Sequence, residues 1–165
     1  MKIKDIDTKS HLKEFDCGNS SINSYLKDSA FYNHILKINR TKIIENEGKI
    51  IAFITLSLIE LLGDEDIEGN IKYFGVYLEY IGVDKKYQKK GIGSFLIDYI
   101  FEETYNISEF IGLRYIILDA IKDKKNWYEQ IGFKDMKNSN FFSEKAIRME
   151  HDLRDPYEIK EIFNY

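Results

Sequence analysis

Apolar and polar positions change rhythm several times along this chain, and each change marks an element. Lys2 to Ile6 reads as a short strand, and Arg40 to Glu45 and Lys49 to Leu62 as two strands joined by a turn at Asn46-Glu47-Gly48. Asn19 is a cap residue ahead of Ile22, Tyr25, Leu26, Ser29, Asn33 and Leu36, which follow the spacing of one helix face. Tyr73 to Val83 is the next strand. Ile92, Phe95, Leu96, Tyr99 and Ile100 line one face of a second helix. Tyr115 to Ala120 is apolar until Asp119, as in a strand of the parallel type. Lys124 to Ile131 predicts a short helix, and Phe133 to Met136 with Ala146 to Asp152 a closing hairpin. Gly63 to Asn70 reads as an acidic, glycine-bounded loop, and the single proline, Pro156, sets off Asp155 to Tyr165 as an appendage. Without repeat, linker or low-complexity segment, the pattern predicts one α/β domain over residues 1–152 with a C-terminal tail at 153–165.

Composition narrows the class. A chain of 165 residues is long enough to bury a real core, and 44% hydrophobic with 15% aromatic residues excludes a disordered chain. The longest apolar run, Ile50 to Leu62, holds Thr55, Ser57 and Glu60 and is too short to span a bilayer. The start, Met1-Lys2-Ile3-Lys4-Asp5, carries no apolar signal region. The lone cysteine, Cys17, cannot form an intramolecular disulfide and fits a reducing compartment. The expected location is therefore cytoplasmic, with no membrane partner. His11, His34 and His151 lie too far apart in sequence to suggest a metal motif, so no metal is expected.

Chemistry concentrates where the strand ending in Val83-Asp84 meets the next helix. Tyr87-Gln88-Lys89-Lys90-Gly91-Ile92-Gly93-Ser94 places two glycines at the mouth of a helix. The first turn of a helix offers free N–H groups and the positive end of the dipole, and glycines let that backbone approach a phosphate. Lys85, Lys86, Lys89 and Lys90 add positive charge. The bland alternative is that Gly91 and Gly93 only allow a helix to pack on a sheet; Gln88 and the lysines favour phosphate. Further along stands Trp127-Tyr128-Glu129-Gln130-Ile131-Gly132-Phe133, where Gly132 reads as a helix C-cap and Phe133 as the start of a strand. Tyr128 alone would pass for a core aromatic like Trp127 and Ile131. Lys122, Lys124 and Lys125 read as a solvated face ahead of the alternative, contact with a further phosphate of the ligand.

Together, Gln-x-x-Gly-x-Gly and Tyr-x-x-x-Gly-Phe resemble the GNAT superfamily of acyl-CoA-dependent N-acetyltransferases, with the likeness running from about Phe15 to Phe133. The segment Phe15-Asp16-Cys17-Gly18-Asn19 with Ile22, Tyr25 and Leu26 is similar to a branch that includes toxins acetylating the amino group of aminoacyl-tRNA. The resemblance implies a mixed, mostly antiparallel central sheet flanked by helices and splayed between its middle strands. It implies acetyl-CoA as co-substrate, with Gln88, Lys89, Lys90, Gly91, Ile92, Gly93 and Ser94 at its pyrophosphate. It also implies Tyr128 as the acid that protonates the leaving thiolate, and direct transfer that leaves Cys17 a structural role. Ile121 and Lys124 stand where many members carry Asn and Ala.

The expected reaction is attack of a free amine on the thioester, with a backbone N–H around Ile81, Gly82 and Val83 stabilising the oxyanion. A thiolate has a pKa of about 8.5 and tyrosine about 10, so Tyr128 is protonated at neutral pH and able to donate. Glu79 shares strand parity with Ile81 and Val83 and is the best-placed base by sequence; a water relay is the alternative. With a net charge of −4 the chain offers little to a polynucleotide. The preferred acceptor is therefore a small-molecule amine or peptide amino group. Aminoacyl-tRNA and a non-catalytic acyl-CoA-binding module are the alternatives, and a homodimer stays open.

Overall fold

The computed structural model describes residues 1–7, 12–63, 71–136 and 143–154. The loop expected at Gly63 to Asn70 (beyond Gly63 itself), His11, and the appendage from Asp155 lie outside the described residues. Strands are β1 (Ile3–Asp5), β2 (Arg40–Asn46), β3 (Lys49–Leu62), β4 (Lys72–Val83), β5 (Tyr115–Ile121), β6 (Lys134–Asp135) and β7 (Ala146–Asp152). Helices are α1 (Ser20–Asp28), α2 (Ala30–Ile35), α3 (Ile92–Ser108) and α4 (Lys125–Gln130). One seven-stranded sheet has the order β1-β2-β3-β4-β5-β7-β6. The pairs β1–β2, β2–β3, β5–β7 and β6–β7 are antiparallel, so the expected mixed, mostly antiparallel sheet with flanking helices is what the chain forms. The chain divides into two compact units, Met1–Leu58 with Leu78–Ile100, and Ile59–Tyr77 with the residues from Phe101 onward.

In the first unit β2 and β3 form the expected hairpin, with Glu47 and Gly48 both at positive φ in its turn. The register shifts at Ile44/Glu45, a bulge beside the turn. Ile6, Phe15, Leu26, Ala30, Ile43, Ile50 and Phe53 make a core cluster. Phe15 and Phe53 meet edge to face with centroids 5.4 Å apart. Asn19 caps α1 as its sequence position predicts: its side-chain oxygen accepts from Ser21 N–H at 3.0 Å and Ile22 N–H at 3.2 Å. Such a cap contributes about 1 kcal/mol relative to alanine.

The single helix expected from Asn19 to Leu36 is instead two. Ser29, at φ −127° and ψ −31°, ends α1 and precedes α2. The buried positions Leu26, Ala30 and His34 step by four. On a straight helix of about 3.6 residues per turn that stripe drifts about 40° per step. The break falls at Ser29, whose hydroxyl side chain is a poor helix-interior residue, and all three positions on its two sides are buried. Leu36, expected on the apolar face, is exposed.

The second unit is built on β5 and β7. Ile116, Ile117, Leu118, Ala120 and Met149 are buried along them. The start of β5 lies against β4: Arg114 N–H donates to Phe74 O at 2.8 Å. A Cβ on Gly75 would stand 2.5 Å from Tyr115 O, so only glycine permits that approach. Phe133 packs with Phe101 at 5.6 Å.

Candidate active site

In the first unit, Asp84 closes β4 and turns the chain. Its N–H donates to Ile51 O at 2.8 Å, and its Oδ1 accepts from Lys86 N–H at 3.0 Å, capping a 3-10 turn at Lys85–Tyr87. Lys89 (φ 60°) and Gly91 (φ 79°) then adopt left-handed backbone, and α3 begins at Ile92. Its first bond runs from Phe95 N–H to Gly91 O at 3.0 Å, so the amides ahead of Phe95 precede the helical ladder. Nothing lies within 4 Å of where a Gly91 Cβ would project. Open space at a helix mouth, between exposed lysines, fits an anionic diphosphate.

The lysines divide their tasks. Lys85 Nζ donates to Asp16 Oδ2 at 2.8 Å. Lys90 Nζ donates to Lys86 O at 2.9 Å and lies 5.2 Å from the Tyr87 ring centroid. The ammonium groups of Lys86 and Lys89 have no partner among the described residues. Gln88 spends both amide hydrogens on backbone, donating to Cys17 O and Val83 O at 2.9 Å each, so its side chain ties the loop. Asp16 is held well below the usual carboxylate range, first by Lys85 and then by the N–H of Gly18 and the Asn23 amide. The Cys17 thiol is pushed up by burial, which suits an inert thiol.

On β4, Gly82 has a core reason to be glycine: a Cβ there would stand 2.7 Å from the Phe53 ring and 3.1 Å from Phe15. Ile81 and Val83 flank it, both partly buried. Glu79 Oε2 accepts from Asn39 Nδ2 at 2.8 Å, and Tyr25 OH donates to Asn39 Oδ1 at 3.2 Å. Asn39 is only 4% exposed, and the Tyr25 ring stacks on Tyr80 at 3.8 Å. This three-residue chain had no signature in the sequence, since Asn39 is a single residue just ahead of a strand.

In the second unit, α4 ends in a Schellman motif. Phe133 N–H donates to Tyr128 O at 3.0 Å and Gly132 N–H to Glu129 O at 3.2 Å, with Gly132 at φ 101°. The Tyr-x-x-x-Gly-Phe spacing is thereby explained: tyrosine and phenylalanine are the two ends of the motif's longer bond, and their rings meet at 5.8 Å. The Trp127 ring also meets that of Tyr128, at 4.7 Å between centroids. Tyr128 is 7% exposed, and desolvation alone pushes its hydroxyl up to about 12. Among the described residues none accepts from or donates to that hydroxyl. Lys125 pairs with Asp135 at 2.7 Å and Glu129 at 3.4 Å.

The profile of the Acetyltransferase (GNAT) domain matches residues 37–135. The chain belongs to the GNAT family. It is an acetyl-CoA-dependent N-acetyltransferase, with acetyl-CoA as co-substrate. A tRNA-acetylating toxin of Mycobacterium tuberculosis is 26% identical over 129 residues, covering 74% of this chain and 75% of the relative. A solved structure of a mutant AtaT toxin, bound to the C-terminus of the antitoxin AtaR and acetyl-CoA, superposes with a TM-score of 0.77 at 18% identity. That match covers 99% of this chain and 98% of the other. AtaT complexed with acetyl-methionyl-tRNAfMet matches at a TM-score of 0.77 and 19% identity, covering 98% of each chain. At these identities the likeness is one of fold. Among the described residues no helix is long and apolar enough to cross a membrane, and no group of three or more His, Cys, Asp or Glu is placed to hold a metal ion.

Proposed function

We propose that this acetyltransferase acts on the amino group of an aminoacyl-tRNA, in the cytoplasm where such tRNAs are found. The reading is carried by the tRNA-acetylating relative, whose likeness extends over three quarters of its length. The Phe15–Asn19 segment adds to it. Residues 1–152 are taken as one acyltransferase domain.

The proposed roles follow from the groups present. The amides of residues 88–94 and the ammonium groups of Lys86 and Lys89 hold the pyrophosphate, and the amides at Ile81 to Val83 face the developing oxyanion. Acetyl-CoA supplies the activated acetyl group as a thioester. Glu79, oriented by Asn39, or a water takes the proton that the amine sheds as its C–N bond forms. Tyr128 gives its proton to the sulfur as the C–S bond breaks, and solvent restores it. One proton leaves nitrogen and one reaches sulfur, so the step balances. A hydroxyl pushed up to about 12 stays protonated at every physiological pH, which an acid needs.

A net charge of −4 favours the second reading, transfer to a small amine or peptide amino group. Two assays decide. Radiolabelled acetyl-CoA with charged tRNA should yield acetylated aminoacyl-tRNA, and translation in a cell-free system should stop only when acetyl-CoA is present. Binding of tRNA should weaken steeply with salt, because each neutralised phosphate releases counterions. Labelled peptide or small amine with no label on tRNA would overturn the proposal in favour of the second reading.

A further inference from the structure

We propose that the Phe15–Asn19 turn is a clamp that holds the coenzyme A loop in its binding shape, with Asp16 and Lys85 as positioning residues and not phosphate ligands. The inference rests on the assignment of residues 88–94 to the pyrophosphate and states how that loop is kept in place. Asp16 N–H donates to Asp84 Oδ2 at 3.1 Å, and Lys85 N–H to Asp16 O at 2.9 Å. Lys85 Nζ reaches Asp16 Oδ2 at 2.8 Å and Gln88 Nε2 reaches Cys17 O at 2.9 Å. The turn is itself fixed to α1. Asp16 Oδ1 accepts from Asn23 Nδ2 at 2.8 Å and from Gly18 N–H at 2.9 Å, while Cys17 N–H donates to Asn23 Oδ1 at 2.9 Å. Gly18, at φ +90°, leaves room for Lys85, whose Cε would stand 3.2 Å from a Cβ there.

The loop needs such support. Lys89 carries a side chain in left-handed backbone, a conformation that isolated chains leave readily. Only the fraction of molecules with the loop in shape binds, so loosening the clamp lowers apparent affinity by that fraction. Because Asp16 engages Lys85, the charge offered to phosphate falls to Lys86 and Lys89.

Calorimetry of acetyl-CoA with the full chain tests this without knowledge of the acceptor. Asp16→Ala should bind roughly tenfold more weakly, with the KM for acetyl-CoA raised and kcat kept. Lys85→Met should weaken binding in the same direction but less, since it breaks one of the three ties that the Asp16 carboxylate makes, and the double variant should bind no worse than Asp16→Ala alone. Were Lys85 a phosphate ligand restrained by Asp16, Asp16→Ala would bind more tightly and the two changes would not overlap; either result overturns the clamp. Should Asp16→Ala not fold, Asp16→Asn takes its place, keeping an oxygen for the Gly18 N–H and the Asn23 amide while dropping the charge on Lys85: unchanged or tighter binding overturns the proposal. Gly91→Glu separates the two layers. If it abolishes binding while the clamp variants bind normally, only the clamp fails; if it binds normally, the loop assignment fails.

Discussion

The loop after β4 and the end of α4 reach ordered positions by opposite means. Around the loop, charged and polar groups at the surface hold one another: Asp16, Lys85, Asp84 and Gln88 are tied by hydrogen bonds across the sequence. Around Tyr128, rings do the work, and one Schellman turn brings Phe133 onto the tyrosine. The electrostatic consequences differ accordingly. Asp16 is held low by its partners, whereas Tyr128 is pushed up by the absence of water. An anion site has to stay wet and charged until its ligand arrives, whereas burial keeps the proton on Tyr128 at the cost of acidity toward a thiolate of pKa about 8.5.

Breaking the loop should have the largest effect. Gly91→Glu puts a carboxylate at an exposed helix mouth and a side chain at φ 79°. Two like charges about 4 Å apart at a surface repel by about 4 kcal/mol, equivalent to roughly a thousandfold in affinity for acetyl-CoA. Calorimetry should find binding lost and the melting transition retained. A folded variant with normal affinity would sink the loop assignment.

Breaking the apolar side comes next. Tyr128→Phe removes the hydroxyl and leaves the contacts with Trp127 and Phe133, so stability should barely move. Turnover should fall roughly a hundredfold, the low end for general acids, with acetyl-CoA affinity kept. Since the hydroxyl titrates near 12, the wild-type rate should show no fall assignable to Tyr128 up to the ordinary tyrosine value of about 10. Undiminished turnover in the phenylalanine variant would make Tyr128 a core residue.

The two regions were also unequally legible in the sequence. Asn19 as a cap, the strand into Gln-x-x-Gly-x-Gly, and the Gly132-Phe133 stop are local patterns, and local hydrogen bonds realise them. What escaped the sequence is contact between distant positions. The motif places Gln88 at the cofactor but does not show that its side-chain amide donates to Cys17 O and Val83 O. In sequence Lys85 is one of four equivalent lysines; in the fold it alone of the four pairs with Asp16. Asn39 could not be anticipated, because nothing near it in the chain shows that it meets Glu79. The break at Ser29 has no glycine or proline to mark it in the sequence.

Glu79 sharpens the comparison from the polar side, with a smaller effect. Glu79→Gln should lower kcat/KM for the acceptor about tenfold, less than a general base usually contributes, because solvent can substitute. Asn39→Ala should act in the same direction, and add nothing in the Glu79→Gln background. Acetyl-CoA affinity should be unchanged in all three. A Glu79→Gln enzyme with full acceptor kinetics would assign proton removal to water.

The smallest effect concerns His34, the polar residue of the first unit that shares Tyr128's circumstance. It is 7% exposed, and its Nδ1 accepts from Thr41 N–H at 3.1 Å, a bond that a doubly protonated ring cannot accept. Burial pushes its pKa below the ordinary 6.5, and the charge of Arg40 adds to that. The folded state therefore binds this proton less readily than the unfolded chain. Stability is intact above pH 6.5 and declines as pH falls from there toward the depressed folded value, by at most about 1.4 kcal/mol per pH unit. His34→Asn retains an acceptor for Thr41 but does not titrate. Thermal melts at pH 7.5 and 5.5 should show the wild type losing more stability than His34→Asn, with the difference confined to this window. Asp16, held low by its partners, is still ionised there and contributes no change. Equal losses in the two proteins would mean that His34 takes up its proton in the fold as easily as in the open chain, and that burial in the first unit does not act on it as it acts on Tyr128.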